Sequence, residues 1–197
     1  HLLGSNGALL LTGLVMDGAM LLLPLYYQQV RGVGVLDTGL LLIPQGLGML
    51  ATRSWIGRLA DRMGSRNIVL LSLAVTAIGT IPFALSGAET NHVLLGIAQF
   101  VRGAALNGIF IPIMVSAYAG LSKEQIPHAS ISTRIFQTIG GAFGSAILAT
   151  VIDHRIRSAA VSGIDAVAHA YQAAFWWSFG FTVLALVPAF MLTKVKK

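Results

Sequence analysis

The sequence has no cysteine, which excludes disulfide bridges and thiolate metal sites. Charge is also scarce. Asp and Glu together number 7, and charged residues make up 10% of the 197 residues, against about 25% in a soluble globular domain. So few polar groups cannot cover a water-facing surface, and lipid is the expected solvent. The surplus of base gives a formal charge of +6. It is scattered, without the basic stripe and interleaved aromatics of a nucleic-acid surface, so no nucleic-acid partner is expected. H-E-x-x-H, a phosphate-binding loop and a dinucleotide fingerprint are all missing. His92, His128, His154 and His169 are too irregularly spaced for a metal site. The Ser, His and Asp of "IDHRIRS" have no nucleophile elbow. No enzyme activity, metal or organic cofactor is therefore expected.

What the chain does have is apolar length. It is 55% hydrophobic with a mean hydropathy of +0.78. Six apolar segments, at 5–30, 37–56, 67–85, 93–121, 129–152 and 170–193, each reach the roughly 20 residues that cross a bilayer. Pro24, Pro44, Pro82, Pro112 and Pro188 fall within them, as membrane helices tolerate. The many glycines fit close helix packing in lipid. Basic residues divide unevenly between the loops. Arg31, Arg155 and Arg157 lie on one side; Arg53, Arg58, Arg62, Arg66, Lys123, Lys194, Lys196 and Lys197 lie on the other. The positive-inside rule makes the second side, and with it the C-terminus, cytoplasmic. Trp176 and Trp177 are then expected at the outer interface. No signal peptide precedes the first span and the chain starts at His1, so it reads as an excerpt of something longer or a processed chain.

Asp17 interrupts the first apolar run, "LTGLVMDGAMLLLP". Asn6, Gly13, Asp17, Pro24 and Gln28 recur near the helical period and share one face. An ionisable group at the bilayer centre costs about 2.5–3.5 kcal/mol on insertion scales and is a functional candidate by default. The alternative is a protonated or hydrogen-bonded acid packed against another helix. Arg102 lies mid-span in "QFVRGAALNG". Arg134 lies one turn into the fifth span, with Ser130, Gln137, Thr138, Gly141 and Ser145 on its polar or small face; snorkelling to the interface is its other reading. Gly140 and Gly144 form GxxxG, and Gly141 with Ser145 repeats the small-residue spacing. Both allow close helix approach, either as static packing or as a sliding contact between two halves.

Between the second and third spans, "GRLADRMGSR" presents Gly57, Asp61, Arg62, Gly64 and Arg66. The glycines permit a tight turn, Asp61 can cap a helix start, and the arginines can pair with acids or helix C-termini. A basic hairpin that only fixes topology is the plainer reading. The G-x-x-x-D-R-x-G-x-R pattern resembles the loop motif of the major facilitator superfamily. "LLLPLYYQQVRG", "TGLLLIPQGLGML", "VRGAALNGIFIP" and "AYQAAFWWS" are similar to the C-terminal half of its fourteen-helix drug:proton antiporters, the EmrB/QacA type.

The resemblance implies an all-α membrane protein. Residues 1–197 would form one six-helix half, built as two inverted three-helix repeats. It implies alternating access, protons as coupling ion, an amphipathic and often cationic substrate, a missing N-terminal half as partner, and a bacterial inner membrane. Short internal echoes fit the repeats: "DGAMLLLPLYYQ" with "NGIFIPIMVSAY", and "PQGLG" with "FQTIGG". They predict that spans one and four, with Asp17 and Arg102, line the cavity; Gln28, Asn107, Arg134 and Gln137 are further candidates for binding substrate or protons. The faces of Tyr26, Tyr27 and Phe110 could hold cations. An exporter of a lipid, peptide or siderophore, and a truncated module that does not transport, stay open as alternatives.

Overall fold

The computed structural model describes residues 2–86, 91–118, 121–159 and 163–190. Helices follow one another in the order α1 (Leu2–Gln29), α2 (Val35–Leu41), α3 (Ile43–Met63), α4 (Ser65–Ala84), α5 (His92–Tyr118), α6 (Ile126–Arg157) and α7 (Ile164–Phe190). There is no strand among the described residues. Among the described residues six stretches are long and apolar enough to cross a membrane, with α2 and α3 together supplying one of them, Val35–Met63. The protein is an all-α membrane bundle.

Proline explains where the second span departs from the single helix expected. Pro44 occupies the first turn of α3. Its ring cannot follow a continuous helix because it clashes with the carbonyl one turn back. The chain therefore breaks at Leu42, whose amide still reaches the Thr38 carbonyl at 3.1 Å. Pro24, Pro82, Pro112 and Pro188 lie inside continuous helices. The last two helices are longer or earlier than hydropathy indicated. α6 runs well past 152, and α7 starts at Ile164, where Asp165 in its first turn suits the positive end of the helix dipole. Trp176 and Trp177 consequently lie near the middle of α7, 44% and 48% exposed, rather than at its end.

The packing pattern has an internal twofold relation. α1 packs on α6 and α7, α5 packs on α3 and α4, and α4 packs on α7. Exchanging α1 with α5, α3 with α6 and α4 with α7 returns the same set of neighbours. The inverted repeat is therefore visible in the contacts and not only in the short sequence echoes.

Glycine sets the closest approaches, and these obey the same exchange. A β-carbon on Gly13 would overlap the Gln137 carbonyl of α6, and one on Gly103 would overlap the Gln45 carbonyl of α3. A β-carbon on Gly140 would overlap the Leu10 carbonyl of α1, and one on Gly48 the Phe100 carbonyl of α5. Backbones this close gain dispersion contact that a side chain would prevent. Between the helices lies a core of Leu9, Val15, Leu22, Val69, Leu95, Ile109 and Phe175, all buried. Two buried threonine hydroxyls of α4 are satisfied along their own helix. Thr76 donates to the Ser72 carbonyl at 2.8 Å, and Thr80 to that of Thr76 at 2.8 Å.

Candidate functional site

A groove of about 420 Å³ opens between α1, α5 and α6. Gly13 and Met16 of α1 form one wall, and Phe110, Met114 and Tyr118 of α5 form the second. α6 supplies the polar side through Ser130, Thr133, Arg134, Gln137 and Thr138. The absent side chain at Gly13 brings α1 onto the α6 backbone at Gln137, which closes the groove's base. Thr133 turns its hydroxyl to the Ala129 carbonyl at 2.7 Å, so it offers the groove little polarity. Arg134 is exposed and makes no ion pair among the described residues. Two methionines and two aromatic rings facing a guanidinium and an amide can accept an amphipathic solute: the thioethers adapt in shape and the polar side orients.

The structure thus brings Arg134 and Gln137 together with α1, and places the other sequence-derived candidates separately. Asp17 lies in α1 one turn after Gly13, but its side chain lies outside the described residues. Gln28 is exposed in the last turn of α1 and is not a groove residue. Asn107 of α5 joins α5 to α3 by donating to the Met49 carbonyl and, at 3.3 Å, to the Thr52 hydroxyl. Met16 and Met114 were not foreseen as wall residues. Met16 stands three positions after Gly13, and that spacing was the available signal.

Arg102 does not line the groove. It is 1% exposed, wedged against α4, where a β-carbon on Gly79 would come within 2.7 Å of its Cγ. Its guanidinium lies 5.9 Å from the centre of the Phe83 ring. None of its three nitrogens has a hydrogen-bond partner among the described residues. Tyr26 and Tyr27, expected to face cations, are buried instead. Tyr26 packs on Tyr27, Phe83, Tyr171 and Phe175. Tyr27 accepts a hydrogen bond from Gln99, and Tyr171 donates to Gln29 at 2.8 Å. These polar tips need partners in an apolar core, and the helix-to-helix amides provide them.

The motif between spans two and three also differs from its expected layout. α3 continues to Met63, so Gly57, Asp61 and Arg62 are helical, and Gly64 alone connects α3 to α4. Gly64 has φ +84° and ψ 146°, a region open essentially only to glycine. Asp61 therefore sits in the last turn of a helix and not at a start, exposed and without an ion pair among the described residues. Arg62 lines a small surface groove with Trp55, Arg58 and Leu59, and Arg66 sits over the Phe190 ring at 5.5 Å. Gly140 and Gly144 pack α6 on α1 at Leu10 and Leu14, and Gly141 lies under Gly13. This contact is within the chain and not between two halves.

Comparison with known proteins bears on this architecture. The family model described as Major Facilitator Superfamily matches residues 6–145. The chain is 27% identical over 181 residues to the uncharacterized MFS-type transporter YcnB of Bacillus subtilis, covering 91% of the chain and 38% of that protein. It is 28% identical over 153 residues to the multidrug resistance protein B homolog of Mycobacterium tuberculosis, covering 77% of the chain and 28% of that protein. It is also 28% identical over 203 residues to the puromycin resistance protein pur8 of Streptomyces alboniger, covering 95% of the chain and 40% of that protein. The chain spans two fifths or less of the length of these relatives. The family match covers well over half of the residues and falls on a six-span bundle with an inverted repeat, so the chain belongs to the Major Facilitator Superfamily of membrane transporters.

Proposed function

We propose that the chain forms the C-terminal six-helix wall of a proton-coupled multidrug exporter, working by drug:proton antiport and alternating access in a bacterial inner membrane with the C-terminus cytoplasmic. The observation that carries this reading is the open groove of mixed polarity between α1, α5 and α6, on a bundle of a transporter family. The drug-resistance names of two relatives support drugs as the substrate class. The remaining helices of the transporter would close the groove from the opposite side.

Asp17, one turn after Gly13 in α1, would supply the acid of this wall. An ionised carboxylate there would draw a lipophilic cation inward and release it on protonation. Each proton that enters gains about 2.3 kcal/mol per 100 mV and each positive charge exported costs the same, so a one-for-one exchange of proton for monovalent cation draws on the proton gradient alone. Arg134 and Gln137 would orient the polar end of the solute. In cells expressing the protein as its gene encodes it, efflux of a fluorescent cation should stop when a proton ionophore is added. Asp17→Asn should reduce cation export by tenfold or more and leave neutral substrates nearly unchanged. Equal loss for both classes would assign Asp17 to coupling or folding, and no loss for either would remove it from the site.

Asp61 has no ion-pair partner among the described residues and is exposed, so its charge is free to tether the ends of helices in one conformational state. Asp61→Asn should slow turnover several-fold at normal membrane abundance. Transport at the wild-type rate would reduce the motif to a topology signal.

A further inference from the structure

We infer that the cleft between α6 and α7 is a binding site for an anionic phospholipid, with an acyl chain in the cleft and its phosphate at Arg155 and His154. The cleft measures about 480 Å³ and lies apart from the α1–α5–α6 groove. Ala146, Ile147, Val151 and Trp177 make its walls, and His154 and Arg155 stand together at one end. Thr150 also borders it, but its hydroxyl is committed to the Ala146 carbonyl at 2.7 Å. The walls are therefore mostly hydrocarbon, with the Trp177 indole N–H as their polar group, and charge is confined to the end.

Length and charge identify the occupant. From Ala146 to Arg155 the α6 axis rises about 14 Å, close to the roughly 15 Å of one leaflet's hydrocarbon. α6 has 32 residues, about 48 Å, which exceeds the hydrocarbon core and carries residues 154–157 into the headgroup layer. The nearby acid is already neutralised: Asp153 pairs with Arg157 at 3.2 Å. Arg155 makes no ion pair among the described residues, so a positive charge remains at the headgroup end. By the loop charges this end lies at the outer leaflet, where Arg155 would meet an anionic headgroup as basic pockets between helices do on the cytoplasmic side.

The repeat supplies an independent comparison. The register that pairs Gln45 with Gln137 also pairs Leu59 with Val151 and Arg62 with His154. Leu59 and Arg62 border a smaller groove of about 260 Å³ on α3. Both places end on a base, but at α3 a second base, Arg58, stands within the wall where α6 has Thr150. Only at α6 does a second helix, through Trp177, close the cleft to a depth that holds a chain.

Trp177 is a built-in reporter. The protein, expressed as its gene encodes it, is reconstituted in phosphatidylcholine vesicles doped with brominated phosphatidylglycerol or with brominated phosphatidylcholine. The Trp177 signal is the difference between wild type and Trp177→Phe. Brominated phosphatidylglycerol should quench it at roughly one fifth the mole fraction that phosphatidylcholine needs, the preference about one basic side chain near the headgroups confers. A His154→Gln, Arg155→Gln double variant changes only exposed groups; it should bring the two lipids level while keeping the quenching itself. Equal quenching in the wild type overturns the headgroup assignment, as does a preference that survives the double variant. Absence of quenching by either lipid shows that protein covers the cleft and overturns the site.

Discussion

Gly140→Leu is expected to yield no monodisperse protein, and Gly140→Ala to lower the melting midpoint by several degrees. A β-carbon at position 140 overlaps the Leu10 carbonyl, so α1 and α6 must separate along their whole crossing. Overpacking of this kind costs about 1–3 kcal/mol for a single methyl. For a chain of this size about 2–4 °C are lost per kcal/mol. Leucine adds three further carbons to a contact that has no room for the first. Gly180 is the internal control. Nothing lies within 4 Å of a β-carbon there, so Gly180→Ala should be neutral or gain up to about 1 kcal/mol from helix propensity. The repeat equivalent of Gly140 is Gly48, and Gly48→Ala should lose as much as Gly140→Ala. If Gly140→Ala melts with Gly180→Ala, the α1–α6 crossing is not as close as described.

Arg102→Met should make the protein more stable and less active. The guanidinium is buried with no hydrogen-bond partner among the described residues, and the Phe83 face is its nearest compensation. Replacing buried charge by well-packed apolar groups is often stabilising by about 1–4 kcal/mol. Methionine matches the length and flexibility of the arginine stem lying beside Gly79. A rise in melting midpoint of about 2–16 °C follows from the same conversion. Ionisable groups in membrane spans carry function by default, and export should fall at least tenfold, with Arg102→Lys restoring part of it. A drop in stability would mean that Arg102 holds the bundle together. A more stable variant with full export would mean that the charge has no part in transport.

How much of this was legible in the sequence follows from what hydropathy measures. It finds stretches that can live in lipid, and the six spans appear where they should. It does not say which neighbour a face will meet. Tyr26 and Tyr27 look like any interfacial aromatic until Phe83, Tyr171 and Phe175 are known to surround Tyr26. Arg102 and Arg134 are both bases inside spans, yet one is wedged against α4 and the other opens onto the groove, because α5 and α6 bury different sectors. The break at Leu42 was signalled by Pro44, but four other prolines are absorbed into helices, so proline alone does not separate a bend from a break. The small-residue spacing of Gly140 and Gly144 points to a close approach, and the structure puts both against α1. Their partner, α1 of the same chain, could not be named, because small-residue spacing carries no address. The Gly64 turn was foreseen, whereas Asp61 fell on the wrong side of it: α3 keeps its helical turns almost to the glycine.

The glycine crossings have a consequence for biogenesis. Each joins a helix of the first repeat to one of the second: α1 waits for α6, and α3 waits for α5. Neither three-helix repeat contains a finished crossing of its own. As the chain emerges in order, Gly13 and Gly48 lack their partners until α6 and α5 arrive. The early helices must be held near one another in the meantime, by the insertion machinery or by slow lateral diffusion. A chain stopped after α4 would carry two open docking surfaces and nothing to fill them, which makes it a natural target for membrane proteolysis.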